Sequence, residues 1–261
     1  MSLKAKLTLI FFIFPKKNTM NFLEWTNHFI NLIYPKTCGA CSRSLKKQED
    51  IICLQCQYNL PRTNYHEEEE NPIAKKFWGR VPLENAASFY YFGKKGRVQQ
   101  LIHHLKYGGW PEVGLKIGEM YGTDLSKHER FQDIKLVLPI PLHPTKKAKR
   151  GYNQSDMFAE GLAKSMNIEW SADALVRKVF TESQTKKDRF ERWENVESIF
   201  GIAKPELLED KHILLVDDVI TTGSTIEACA TEILKLKNVK LSVVSIAVSY
   251  THLRAHETCG H

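Results

Sequence analysis

Apolar and polar positions change rhythm near residue 84. Beyond it, short apolar runs of strand length (86–92, 136–140, 213–216) alternate with stretches of helical spacing (98–107, 154–166). A further helix is expected at 226–236 and a last apolar strand at 241–247. Such alternation predicts an α/β domain over residues 84–247, with a largely parallel sheet flanked by helices. Upstream the pattern differs. Phe22, Trp25, Phe29 and Ile33 have helical spacing, and four cysteines then crowd into 19 residues. The acidic run from Glu67 to Glu70 leads to Asn71-Pro72. This predicts a helix and cysteine module over 20–66 and a solvated linker over 67–83. No internal repeat is present.

The apolar run 7–14 is only eight residues long, far short of the roughly 20 that span a bilayer, so membrane insertion is not expected. Lysines flank it as in a secretory signal, but no small-residue cleavage site follows. Translation from Met20 accounts for residues 1–19 as a spurious extension, and without their four lysines the formal charge falls from +7 to +3. Basicity alone is then a weak argument for nucleic-acid binding. At the other end, 248–258 (VSYTHLRAHET) reads like the conceptual translation of a sequencing-library adapter. Residues 248–261 are therefore expected to be a tail outside the fold, and His256, Cys259 and His261 are not taken as ligands.

Cys38, Cys41, Cys53 and Cys56 form two C-x2-C knuckles separated by eleven residues. Paired disulfides or four unrelated buried thiols are the other readings. A reducing compartment disfavours the first and the duplicated spacing the second, so a tetrahedral zinc is expected. Four thiolates leave no open position for catalysis, which makes that metal structural.

The segment 213–225, ILLVDDVITTGST, holds the strongest candidate chemistry. Four aliphatic residues predict a strand buried on both faces, and Asp217 and Asp218 stand at its carboxyl end, where open α/β sheets bind ligands. Thr221, Thr222, Gly223, Ser224 and Thr225 then precede a helix, and free amides at a helix start suit a phosphate. An Asp-Asp after an apolar strand also occurs in ATPases, but the chain has no G-x-x-x-x-G-K-[ST] loop. A simple helix-capping turn would use one carboxylate rather than a pair. His103 and His104 lie in a helical stretch, one expected at the surface and one packed; Cys229 is expected to be a small buried thiol.

This segment resembles the phosphoribosyl-pyrophosphate (PRPP) motif of type I phosphoribosyltransferases. The resemblance implies that Asp217 and Asp218 take the ribose hydroxyls while Thr221, Thr222, Gly223, Ser224 and Thr225 take the 5-phosphate, with Mg2+ accompanying PRPP. The cysteine module, LIHHLKYGG, LPIPLHPTKKAKRGYNQS and FTESQTKKDRFERWENVESIF resemble segments of ComF proteins, over roughly residues 30–247. That family is linked to natural transformation, the uptake of single-stranded DNA. Lys146, Lys147, Lys149 and Arg150 form a candidate pyrophosphate loop after a strand. Gln184, Lys187, Arg189 and Arg192 occupy the place of the mobile hood in the resembling enzymes, where Lys187, Arg189 and Arg192 would act in catalysis and Trp193 would lie near an acceptor. The implied function is a cytoplasmic phosphoribosyltransferase acting on a nucleobase or single-stranded DNA alongside the DNA-uptake machinery. The alternative is a non-catalytic accessory that senses PRPP or binds single-stranded DNA.

Overall fold

The computed structural model describes residues 35–178 and 199–249. The chain divides into two compact units, 1–37 and 38–261, and the elements below belong to the second. The segments expected at 184–193 lie outside the described residues, as do 250–261.

Five parallel strands form the central sheet: β1 (Asn85–Phe92), β2 (Leu136–Pro139), β3 (Glu169–Trp170), β6 (His212–Ile220) and β7 (Lys240–Ser249). Their order across the sheet is β1-β7-β6-β2-β3. A separate antiparallel pair joins β4 (Leu175–Arg177) to β5 (Phe200–Ile202). The first half of β6 shows no in-and-out alternation: Ile213, Leu214, Leu215 and Val216 are all buried, as a strand covered on both faces requires. Its register with β2 and β7 aligns Val216 with Pro139 and Val244. The carboxyl ends of these strands therefore meet at one edge.

Helices cover the sheet. In chain order they are α1 (Leu54–Asn59), α2 (Pro72–Phe77), α3 (Arg97–Tyr107), α4 (Glu112–Leu125), α5 (Glu129–Gln132), α6 (Pro144–Arg150), α7 (Gln154–Met166) and α8 (Ser224–Ile233). α3 buries Val98, Leu101, Ile102 and Leu105, a stripe of helical period. α4 and α7 pack backbone to backbone: a Cβ added at Gly161 would overlap the Leu115 carbonyl oxygen, so glycine is what allows the approach.

Three boundaries differ from expectation. The stretch 67–83 is not an unstructured connector, because Asn71 caps α2 by accepting the amides of Ile73 and Ala74, and Ile73 and Phe77 are buried. Its acids mask the short apolar pair that does the packing. Cys38, Cys53 and Cys56 are buried in the same core as the sheet, and Gly39 lies against Leu101 and Trp110, so the cysteine segment is not a free-standing body. β7 continues past Ala247: Val248 is fully buried and pairs with Tyr91 and Ile220, while Ser249 pairs with Phe92.

Candidate functional site

At the carboxyl edge of the sheet a cleft of about 600 Å³ opens between the ends of β1, β2 and β6 and the last turns of α3 and α6. Its lining includes Asp217, Asp218, Thr221 and Thr225. The acidic pair lies in the second half of β6, two residues before its end at Ile220, and the loop that follows leads directly into α8. Gly223 holds a φ of 82° as the residue before α8, a left-handed conformation suited to glycine. The Thr222 and Ser224 hydroxyls lie 3.1 Å apart, and the Ser224 amide points at Thr222 Oγ1 at 3.4 Å. Hydroxyls and amides are thus gathered at a helix start, an arrangement that favours an anion.

The two carboxylates have different surroundings. Asp218 accepts from Lys106 Nζ at 2.8 Å. Asp217 accepts the Asp218 amide at 2.8 Å and faces the Ser155 hydroxyl at 3.4 Å. Burial first, and the adjacent Asp218 charge second, push the Asp217 carboxyl up to about 7, against the opposing pull of the Asp218 amide, Lys106 and Ser155. Two adjacent carboxyl groups in one cleft can together accept hydrogen bonds from vicinal hydroxyls.

The expected pyrophosphate loop is a helix. Pro144 at its first position, the His143 cap and Gly151 at φ 82° after Arg150 give α6 both of its ends. The one-turn spacing sends Lys146 and Arg150 into the cleft, whereas Lys147 faces Asp156 at 3.8 Å. Arg150 donates to Gln154 Oε1 at 2.6 Å and stands 5.2 Å from the Tyr107 ring centroid. The residues after it tie this wall to the sheet. Tyr152 donates to the Leu105 carbonyl at 2.5 Å, and buried Asn153 donates to the Ile140 carbonyl at 3.0 Å while its oxygen caps α7.

Several site residues have no counterpart in the expectations. Gln99, His103 and Lys106 line the cleft from the face of α3 that adjoins its buried stripe, at spacings of four and three. The motif LIHHLKYGG carried that signal: once 98, 101, 102 and 105 are assigned to the core, 99, 103 and 106 fall together. Arg177 lines the cleft from β4. His104 instead stacks on Trp110, with ring centroids 4.5 Å apart, and is partly buried rather than the packed core residue expected, while His103 is exposed. Lys187, Arg189, Arg192 and Trp193 lie outside the described residues. Cys229 is buried, and that burial pushes its thiol up.

The four cysteines of the two knuckles converge, with their sulfurs all within 4.8 Å of one another. Cys41 Sγ and Cys53 Sγ are 3.8 Å apart. A tetrahedral ion with sulfur ligands at about 2.3 Å needs sulfurs about 3.8 Å apart, so the set fits such an ion. The amides of Ala40 and Cys53 point at Cys38 Sγ at 3.4 and 3.3 Å, a pattern that favours a thiolate. Among the described residues no helix is long and apolar enough to cross a membrane.

Residues 153–258 match the family model described as the phosphoribosyl transferase domain. Three curated relatives extend the likeness toward the amino terminus. Competence protein ComFC of Bacillus subtilis is 27% identical over 209 residues, covering 80% of this chain and 82% of its own. DNA utilization protein YhgH of Escherichia coli K12 is 25% identical over 201 residues, covering 76% and 84%. Competence protein F of Haemophilus influenzae is 29% identical over 152 residues, covering 57% and 64%. The domain match starts at the Asn153 cap and takes in the acidic pair, the loop and β7, and with these relatives it makes the chain similar, over most of its length, to phosphoribosyltransferase-like proteins of the ComF family.

Proposed function

We propose that this protein binds PRPP with Mg2+ in the cleft and transfers the phosphoribosyl group to a nitrogen of a nucleobase or nucleic acid. The single observation behind this reading is the continuity of β6, the hydroxyl-rich loop and α8, which sets two carboxylates beside a helix start in one cleft. Asp217 and Asp218 accept hydrogen bonds from the ribose hydroxyls. Thr221, Thr222, Gly223, Ser224 and Thr225 hold the 5-phosphate, and Lys146 and Arg150 face the pyrophosphate. Transfer breaks the bond from ribose C1 to the pyrophosphate oxygen and forms one to the acceptor nitrogen, whose proton is released. Mg2+ supplies charge neutralisation to the leaving pyrophosphate. Lys187, Arg189 and Arg192 belong to this proposal as residues that close over the reacting centre. The cysteine set holds a structural zinc. The names of the relatives, a DNA utilization protein and a competence protein, support a role in the handling of DNA.

The test is incubation with Mg2+ and PRPP against a panel of nucleobases and oligonucleotides, with pyrophosphate release as the readout. Release that depends on one acceptor supports transfer. PRPP binding without release for any acceptor replaces transfer with sensing, and absence of PRPP binding overturns the assignment of the cleft.

A further inference from the structure

We propose that Lys76, on a helix outside the matched transferase domain, is a binding residue for the 5-phosphate of the donor. The proposal rests on the reading of the cleft as a phosphoribosyl site. Lys76 donates to the Thr221 carbonyl at 2.5 Å, and Arg80 donates to the Thr222 carbonyl at 3.1 Å. Between those contacts the Phe77 ring packs against Gly223 so closely that a Cβ there would overlap it. A single short helix and the turn after it therefore grip three consecutive residues of the phosphate loop.

The charges around that loop need such a grip. The carbonyl oxygens of Thr221 and Thr222, and the carboxylate of Glu227 in the first turn of α8, add negative potential beside the loop. Arg80 is paired with Glu227 and cancels it. Lys76 has no carboxylate partner among the described residues, so its charge is left over to face the ligand. One of its three N–H donors is used on Thr221, and two remain for phosphate oxygens. Burial first and Arg80 second lower the pKa of Lys76, a cost that an incoming phosphate relieves. Asn71 fixes the helix that carries this lysine. Its side chain caps α2 and donates to the carbonyls of Tyr65, Glu68 and Ala86 at 2.8–3.0 Å.

The experiment is calorimetric titration of the full chain, with Mg2+, by PRPP, ribose 5-phosphate and inorganic pyrophosphate, for the wild type, Lys76→Met and Lys76→Arg. A charge-assisted contact to phosphate predicts that Lys76→Met weakens PRPP and ribose 5-phosphate by the same factor, about tenfold or more, and leaves pyrophosphate unchanged. Lys76→Arg should restore most of the loss. Equal affinity of Lys76→Met and wild type for ribose 5-phosphate overturns the proposal, as does a parallel loss of pyrophosphate binding, which would mark a general disturbance of the cleft. If the wild type binds neither PRPP nor ribose 5-phosphate, the phosphoribosyl reading itself falls, and the role of Lys76 with it.

Discussion

Asp217 and Asp218 are adjacent in the chain but chemically unequal. Lys106 holds Asp218, whereas burial and its neighbour raise Asp217 to about 7 from an ordinary value of 3.8. Replacing both with asparagine should weaken PRPP binding at least about a hundredfold in a folded protein, since each acid accepts charge-assisted hydrogen bonds worth about 1.5–3 kcal/mol. Calorimetry on the double variant checks this. The raised pKa adds two dependences on pH. Ribose hydroxyls need the ionised acid, so affinity should climb between about pH 6 and 8; the donor's phosphates titrate nearby, so the comparison must be with Asp217→Asn, whose climb should be shallower. For stability the sign is opposite. The folded state holds the Asp217 proton more tightly than the unfolded chain, so that stabilisation is complete below about 3.8 and is lost as pH rises through about 7. Asp217→Asn cannot ionise, and thermal melts should show its Tm gaining on the wild type from pH 5 to pH 8. Both acids were legible in the sequence because their neighbours on either side form one motif. Lys106 was not, because its partner is 112 residues away and only the fold shows which face of α3 meets the cleft.

At the scale of elements, the 98–107 and 154–166 helices match their expected spans to within a residue, whereas the 14-residue α4 has no counterpart in the expectations and β6 runs on to Ile220, past the expected 213–216. The six-residue α2 was not expected either, since two apolar positions four apart cannot outweigh a neighbouring run of acids. Asn71-Pro72 falls within the stretch expected to be a linker, yet an asparagine followed by proline is also how a helix starts. Asn71→Ala should cost about 2 kcal/mol or more, because it removes the cap and leaves the Tyr65 and Ala86 carbonyls without that donor. Urea denaturation would measure it, and little change in midpoint would mean that α2 contributes little. The α4–α7 contact makes a sharper case. Gly161→Ala inserts a methyl against the Leu115 carbonyl and should destabilise by about 1–3 kcal/mol, although alanine favours helix. A stabilised Gly161→Ala variant would show that the two helices can separate without loss.

Across the whole molecule, the cysteine knuckles share a core with the sheet, and Gly39 lies against the helix that carries Lys106. Cys38→Ser should therefore lower the Tm of the single thermal transition by several degrees rather than loosen one end, and scanning calorimetry would show two transitions if the knuckles were independent. The order β1-β7-β6-β2-β3 has a consequence in time. β7 is the last of the described strands to leave the ribosome, yet it lies between β1 and β6. Until it is made, two hydrophobic strands present open edges to the cell, and the carboxylates of β6 lack half of their supporting sheet. A nascent chain of this protein is thus committed to wait for its last described strand before the sheet can close, and the strand order is what imposes that delay.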